Sequence, residues 1–146
     1  MGSVNWQKVI VGGLVAGIVL AVLDYLAWTY LLTSVAASTP GAISAAAGAT
    51  MDSKRAMVGG AVSDILVGLA IVWCYAAIRP RYGAGAKTGM RAAVFVWIVG
   101  GLAYVSFYFF RLMALEFFCE MAIVTLVEYL IVAYIGCRMY SEGGTA

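Results

Sequence analysis

The chain has 146 residues, of which 64% are hydrophobic and 11% charged, with a net charge of +2. A soluble domain is nearer half apolar and a quarter charged, so a chain this apolar, with a mean hydropathy of +0.99, is expected to have the bilayer as its solvent. The small net charge carries no nucleic-acid footprint, and the length allows one compact bundle rather than two domains.

Histidine is absent, which removes the commonest haem and zinc ligand and the commonest general base near neutral pH. Cys74, Cys119 and Cys137 lie far apart and form no CxxC pair, so they are expected to be free thiols packed as small hydrophobes. Neither a metal nor a cofactor is expected.

In chain order, residues 1–7 make a short polar start in which Trp6 suits an interface. The apolar run from Lys8 continues to about Leu32 and predicts a first span over 8–32. About 20 residues at 1.5 Å each are enough to cross a bilayer. A signal peptide has an apolar stretch of only ~7–15 residues and rarely carries an acid such as Asp24, so this segment is expected to be an uncleaved span.

Residues 33–55 read as a loop rich in Ala, Ser, Thr and Gly, broken by Pro40-Gly41. The Ala-rich part from Ala42 to Ala49 is compatible with a short interfacial helix, and Asp52 or Ser53 is a candidate N-cap for the next helix. The second span is predicted over 56–78. Pro80 is expected to end it, because proline lacks a donor N–H and disfavours helix in the residue before it.

A basic loop over 79–91 follows, with Arg79, Arg81, Lys87 and Arg91 interleaved with Gly83, Gly85 and Gly89. Its Gly83 to Thr88 segment looks superficially like a phosphate loop, but it has neither the GxxxxGK[ST] spacing nor the strand-to-helix context. The four basic residues are instead expected to meet anionic lipid headgroups, at about 1 kcal/mol each near the surface. The third span is predicted over 91–110 with Arg111 at its far end. A tight turn over 112–118 leads to a fourth span over 117–137, closed by Arg138 and a Gly-rich tail.

Four spans place both ends on one side. That side carries Lys8, Arg79, Arg81, Lys87, Arg91 and Arg138, and the other carries Lys54, Arg55 and Arg111. The positive-inside bias therefore predicts an all-α, four-helix transmembrane bundle with both termini in the cytoplasm. Trp28, Tyr30, Trp73, Tyr75, Tyr108 and Tyr140 lie near span ends and read as interfacial belts.

Three spans contain a Val-Gly-Gly step, at Gly12-Gly13, Gly59-Gly60 and Gly100-Gly101, and the first extends to Gly13-x-x-x-Gly17. Lipid-embedded helices have little hydrophobic drive to associate, so small residues that admit close backbone approach matter more. Gly13, Gly17, Gly59, Gly60, Gly100 and Gly101 are the candidate helix-packing residues, either within the bundle or against a second copy or another subunit.

Asp24, Asp64, Glu120 and Glu128 fall within or near the predicted spans. A charge at the bilayer centre costs at least ~2.5–3.5 kcal/mol, so each should face the bundle, a partner or water. Glu116, Glu120 and Glu128 share one helix face, and Arg111 stands one turn before Glu116. Asp24, Asp64, Arg111, Glu120 and Glu128 are therefore a candidate intramembrane polar cluster. Two readings of it stay open. In one, Arg111 pairs with Glu116 or Glu120 and the other acids are polar glue between helices. In the other, the acids line a cavity that binds a cation or passes protons.

The stretch Trp73-Cys74-Tyr75-Ala76-Ala77-Ile78-Arg79-Pro80-Arg81, with Gly83, Gly85, Lys87 and Thr88, resembles an uncharacterised group of small bacterial four-span integral membrane proteins to which no activity is assigned. The resemblance extends to Asn5-Trp6, to the glycine-rich first span and to acids at Asp24, Asp64 and Glu128. It implies the bacterial inner membrane and the four-span architecture, and no reaction. Spans carrying hydroxyls such as Ser63 and Thr125 have no base beside them, so an enzyme is not expected. The leading functional expectation is an accessory or structural subunit that contacts lipids and associates with itself or with a membrane complex. The alternative is a small transporter or proton/cation-translocating protein that uses its carboxylates.

Overall fold

The computed structural model describes residues 4–43 and 52–140. The expected interfacial helix over 42–49 falls mostly outside them. Helix α1 spans Trp6–Ala27 and runs through a π-helical turn, Trp28–Leu32, into the short α2, Thr33–Ser38. Helix α3 spans Ser53–Tyr82, α4 Ala86–Phe109 and α5 Leu115–Met139. The architecture is all-α, and four helical stretches (Trp6–Ser38, Ser53–Tyr82, Ala86–Phe109 and Leu115–Met139) are long and apolar enough to cross a membrane.

Their outward faces match that solvent. Ile10, Leu14, Ile18 and Val22 form an exposed stripe on α1, as do Val58, Val62 and Leu66 on α3 and Ile123, Val127 and Ile131 on α5. Continuous apolar surface on this scale is foreign to a water-soluble monomer. The protein is a small multi-pass membrane protein.

Local chemistry explains most of the helix ends, and it corrects several expected boundaries. Asp52 is the N-cap of α3, its carboxylate accepting from the Lys54 N–H at 2.9 Å and the Arg55 N–H at 3.4 Å. Pro80 does not end α3, which continues to Tyr82. A proline in the last turn forfeits one hydrogen bond only, and the actual stop is Gly83 at φ 82°, whose N–H closes on the Arg79 carbonyl at 2.8 Å. The expected basic loop over 79–91 thereby shrinks to Gly83–Gly85. Arg79 and Arg81 belong to the last turn of α3, and Lys87 and Arg91 to the first turns of α4.

The first span also outruns its expected end at Leu32. The widened turn is stitched by hydroxyls: Thr29 Oγ1 donates to the Tyr25 carbonyl at 2.7 Å, and Thr33 Oγ1 donates to the Trp28 carbonyl.

Helix α1 packs against α3 and α5, and α4 packs against the same two from the opposite corner. Helices α3 and α5 also touch across the diagonal. The main core lies toward the side of the termini and of Gly83–Gly85. It is built from Val9, Ala16, Leu20, Ile71, Val72, Ala92, Ala93, Val132 and Ala133. On the far side, Leu32, Ala42 and Phe117 form a smaller cluster with Trp28 and Met113 around it. There the Ala114 N–H donates to the Ala42 carbonyl at 3.1 Å, tying the segment after α2 to the turn before α5. Tyr75 and Tyr140 are buried and so are not belt residues, and Trp28 is partly buried. Trp28 stacks at a tilt on Phe117, and Tyr75 and Tyr140 are buried edge to face at 5.9 Å.

The close packing is carried by glycines, though not all of those expected. A Cβ on Gly13 would lie 2.7 Å from the Leu69 Cα. One on Gly17 would strike the Ile65 Cα, and one on Gly68 the Gly17 nitrogen. Gly59, Gly60, Gly100 and Gly101 have open space where a Cβ would stand, so packing within the bundle does not use them. In their place Gly136 serves as the three-helix contact: a Cβ there would lie 2.8 Å from Ala16 Cβ and 3.0 Å from a Val72 methyl.

Candidate functional site

The registers of the helices fix the height of each acid. Gly136 of α5 meets Val72 of α3 and Ala16 of α1. Glu128, Asp64 and Asp24 each lie about two helical turns from that junction, toward the far side. The contact of Gly17 with Ile65 refines this. Asp64 stands beside that contact and Asp24 two turns beyond it, so the two are separated by about 9 Å along the bundle axis. The carboxyls thus form a short staircase from three helices. They are close enough to act on one another electrostatically, Asp24 on Asp64 and both on Glu128.

Glu128 is the innermost. It retains 5% of its exposure, and neither carboxyl oxygen has a hydrogen-bond partner among the described residues. Asp24 and Asp64 are partly buried. The Tyr129 phenol lies within electrostatic reach of all three acids. Below Glu128 the bundle closes over Val132, Ala133, Ile71 and Val72, which are fully buried.

The structure separates the other two members of the expected cluster from these three. Arg111 and Glu120 are exposed, and Arg111 forms no ion pair with Glu116 or Glu120. Its role is in the backbone. Arg111 adopts φ 56°, its N–H donates to the Tyr108 carbonyl and that of Leu112 to the Phe107 carbonyl, each at 2.9 Å. That is the bonding pattern in which a helix ends on a left-handed residue, usually glycine.

Near the site, Trp97 of α4 donates from Nε1 to the Ala122 carbonyl at 3.0 Å and to Thr125 Oγ1 at 3.3 Å, locking α4 onto α5. No three His, Cys, Asp or Glu side chains among the described residues converge on a metal-sized point. Cys74 and Cys137 are buried free thiols and Cys119 is an exposed one.

The expected headgroup residues gather at the terminal end. Arg81 and Arg91 flank the Tyr82 ring at 6.0 and 5.0 Å, Arg79 lies over Tyr140 at 5.6 Å, and Lys87 is exposed. Tyr75 and Tyr140 also anchor backbone here. Their hydroxyls accept from the Gly85 and Asn5 N–H groups, each at 3.2 Å. Sequence reasoning missed these two anchors because a tyrosine near a span end carries the same signal whether it faces lipid or the core.

No protein-family model matches the chain, and no curated protein or solved structure is significantly similar to it.

Proposed function

We propose that this protein is a small cation-translocating membrane protein, without enzymatic activity, that loads its cation on carboxyls inside the bundle. The observation that carries this reading is Glu128, a carboxyl more than nine-tenths buried, with neither oxygen partnered among the described residues and two further acids acting on it. Polar glue between helices would be hydrogen-bonded, since a buried unsatisfied polar group costs about 1–3 kcal/mol. Intramembrane acids that are kept in spite of that cost mark ion or proton pathways.

The test uses the full-length protein in liposomes with imposed gradients of H⁺, Na⁺, K⁺ or tetraphenylphosphonium. Wild type should dissipate at least one gradient faster than empty liposomes, and Glu128→Gln should not. Equal rates for the two proteins would overturn the reading. The proposed setting is a bacterial cytoplasmic membrane with both termini inside, as the distribution of Lys and Arg favours.

A second reading is supported by Gly59, Gly60, Gly100 and Gly101 on α3 and α4, where an added Cβ would meet nothing among the described residues. They suit association with a second copy or with another membrane subunit. Gly60→Leu should then lower the molecular mass measured in mild detergent, and an unchanged mass would count against association through that face.

A further inference from the structure

Resting on the cation reading above, we infer that the cation is the proton, and that Asp24, Glu128 and Asp64 carry it in turn from the far side of the bundle. Three observations favour a proton over a metal ion or an organic cation.

The first is geometry. Hard metal cations gather about six or more oxygens at one point. The backbone positions of Asp24 and Asp64 stand about 9 Å apart along the axis, and no metal-sized convergence exists among the described residues. A staircase suits a species that is handed on rather than wrapped.

The second is room. Glu128 retains only 5% of its exposure, and Val132, one turn below it, is fully buried. A bulky cation would have to part the helices to reach it, whereas a proton needs no volume.

The third is the charge around it. The groups acting on Glu128 are Asp24 from α1 and Asp64 from α3, with Tyr129 next to it on its own helix and Tyr104 of α4 facing that phenol. Among the described residues no lysine or arginine forms an ion pair with it. Three acids without a counter-cation hold charge only at high cost in hydrocarbon, and a shared proton relieves it at each step.

The transfer balances without any other reactant. A proton from water on the far side joins the Asp24 carboxylate to give a neutral acid. It then leaves Asp24 for the Glu128 carboxylate, restoring the first charge, and passes on to Asp64 in the same way. One O–H bond breaks as one forms at each step.

The experiment is modification of the wild-type protein in liposomes by dicyclohexylcarbodiimide, an apolar reagent that reacts with protonated carboxyls, with the adduct located by peptide mass spectrometry. Glu128 should be modified, several-fold faster in mildly acidic than in alkaline buffer. Na⁺, K⁺, Mg²⁺, Ca²⁺ and tetraphenylphosphonium should leave the rate unchanged. Protection by any of these would overturn the proton as ligand while leaving cation loading intact. An unmodified Glu128 at every pH would also overturn it. Failure of the broader reading registers separately, as the absence of any flux in the gradient assay. Glu128→Gln should lose its own adduct and keep any at Asp24 or Asp64.

Discussion

Gly17 and Gly68 press backbone to backbone where α1 crosses α3: a Cβ on Gly68 would collide with the Gly17 nitrogen, and one on Gly17 with the Ile65 Cα. Backbone cannot step aside as a flexible side chain can, so these two positions admit hydrogen only.

Gly68→Ala and Gly17→Ala should therefore destabilise the bundle by roughly 2–4 kcal/mol, as overpacking against fixed atoms does. Gly59→Ala and Gly100→Ala meet open space, and should be neutral or stabilising by up to about 1 kcal/mol through helix propensity. Thermal unfolding of the four variants in mild detergent compares them directly. Similar losses at all four would mean that Gly59 and Gly100 are packed.

Glu128 sets stability against activity. Glu128→Met fills a similar volume and removes two unpartnered buried oxygens, so it should raise stability by about 1–3 kcal/mol while abolishing cation movement. A rise in Tm together with lost flux is the expected pair of results. A fall in Tm would show that the carboxyl is a structural contact.

Arg111 occupies a left-handed position that suits glycine better. Arg111→Gly should stabilise the turn between α4 and α5 by about 0.5–1 kcal/mol. Flux should not change, since the side chain is remote from the three acids. A large drop in either quantity would restore an electrostatic role for the guanidinium.

Tyr140→Phe keeps the ring against Tyr75 and removes the oxygen that accepts from Asn5. The expected loss is about 0.5–1.5 kcal/mol, localised at the start of α1. Hydrogen exchange should show faster exchange of the Asn5 amide with the centre of α1 unaffected.

The four spans were legible because length and apolarity suffice to define them. So was the Asp52 cap, where a short acid precedes a helix and nothing else competes for it. Helix ends were less so. Pro80 reads as a stop, yet a proline in the last turn sacrifices too little to be one. The turn at Arg111 lacks the glycine that normally announces it. Of the candidate site, Asp24, Asp64 and Glu128 could be named from their position in apolar runs. That they come within electrostatic reach of one another follows from how α1, α3 and α5 meet at Ala16, Val72 and Gly136, and isolated glycines give no sign of their partners. Helical spacing puts Glu120 on the face of Glu128 and Arg111 one turn before Glu116, but spacing does not show that Glu120 is exposed or that Arg111 itself takes the left-handed turn position.

Between Lys8 and Asp24, Asp64 and Arg79, and Glu128 and Arg138, the helices carry no acidic or basic side chain. That slab is an electrical insulator, and much of the membrane voltage must drop across it. A charge held at Glu128, midway along α5, still has that slab ahead of it. Passage through it would cost or release up to about 2.3 kcal/mol per 100 mV, so the sign of the membrane potential would govern departure toward the terminal side.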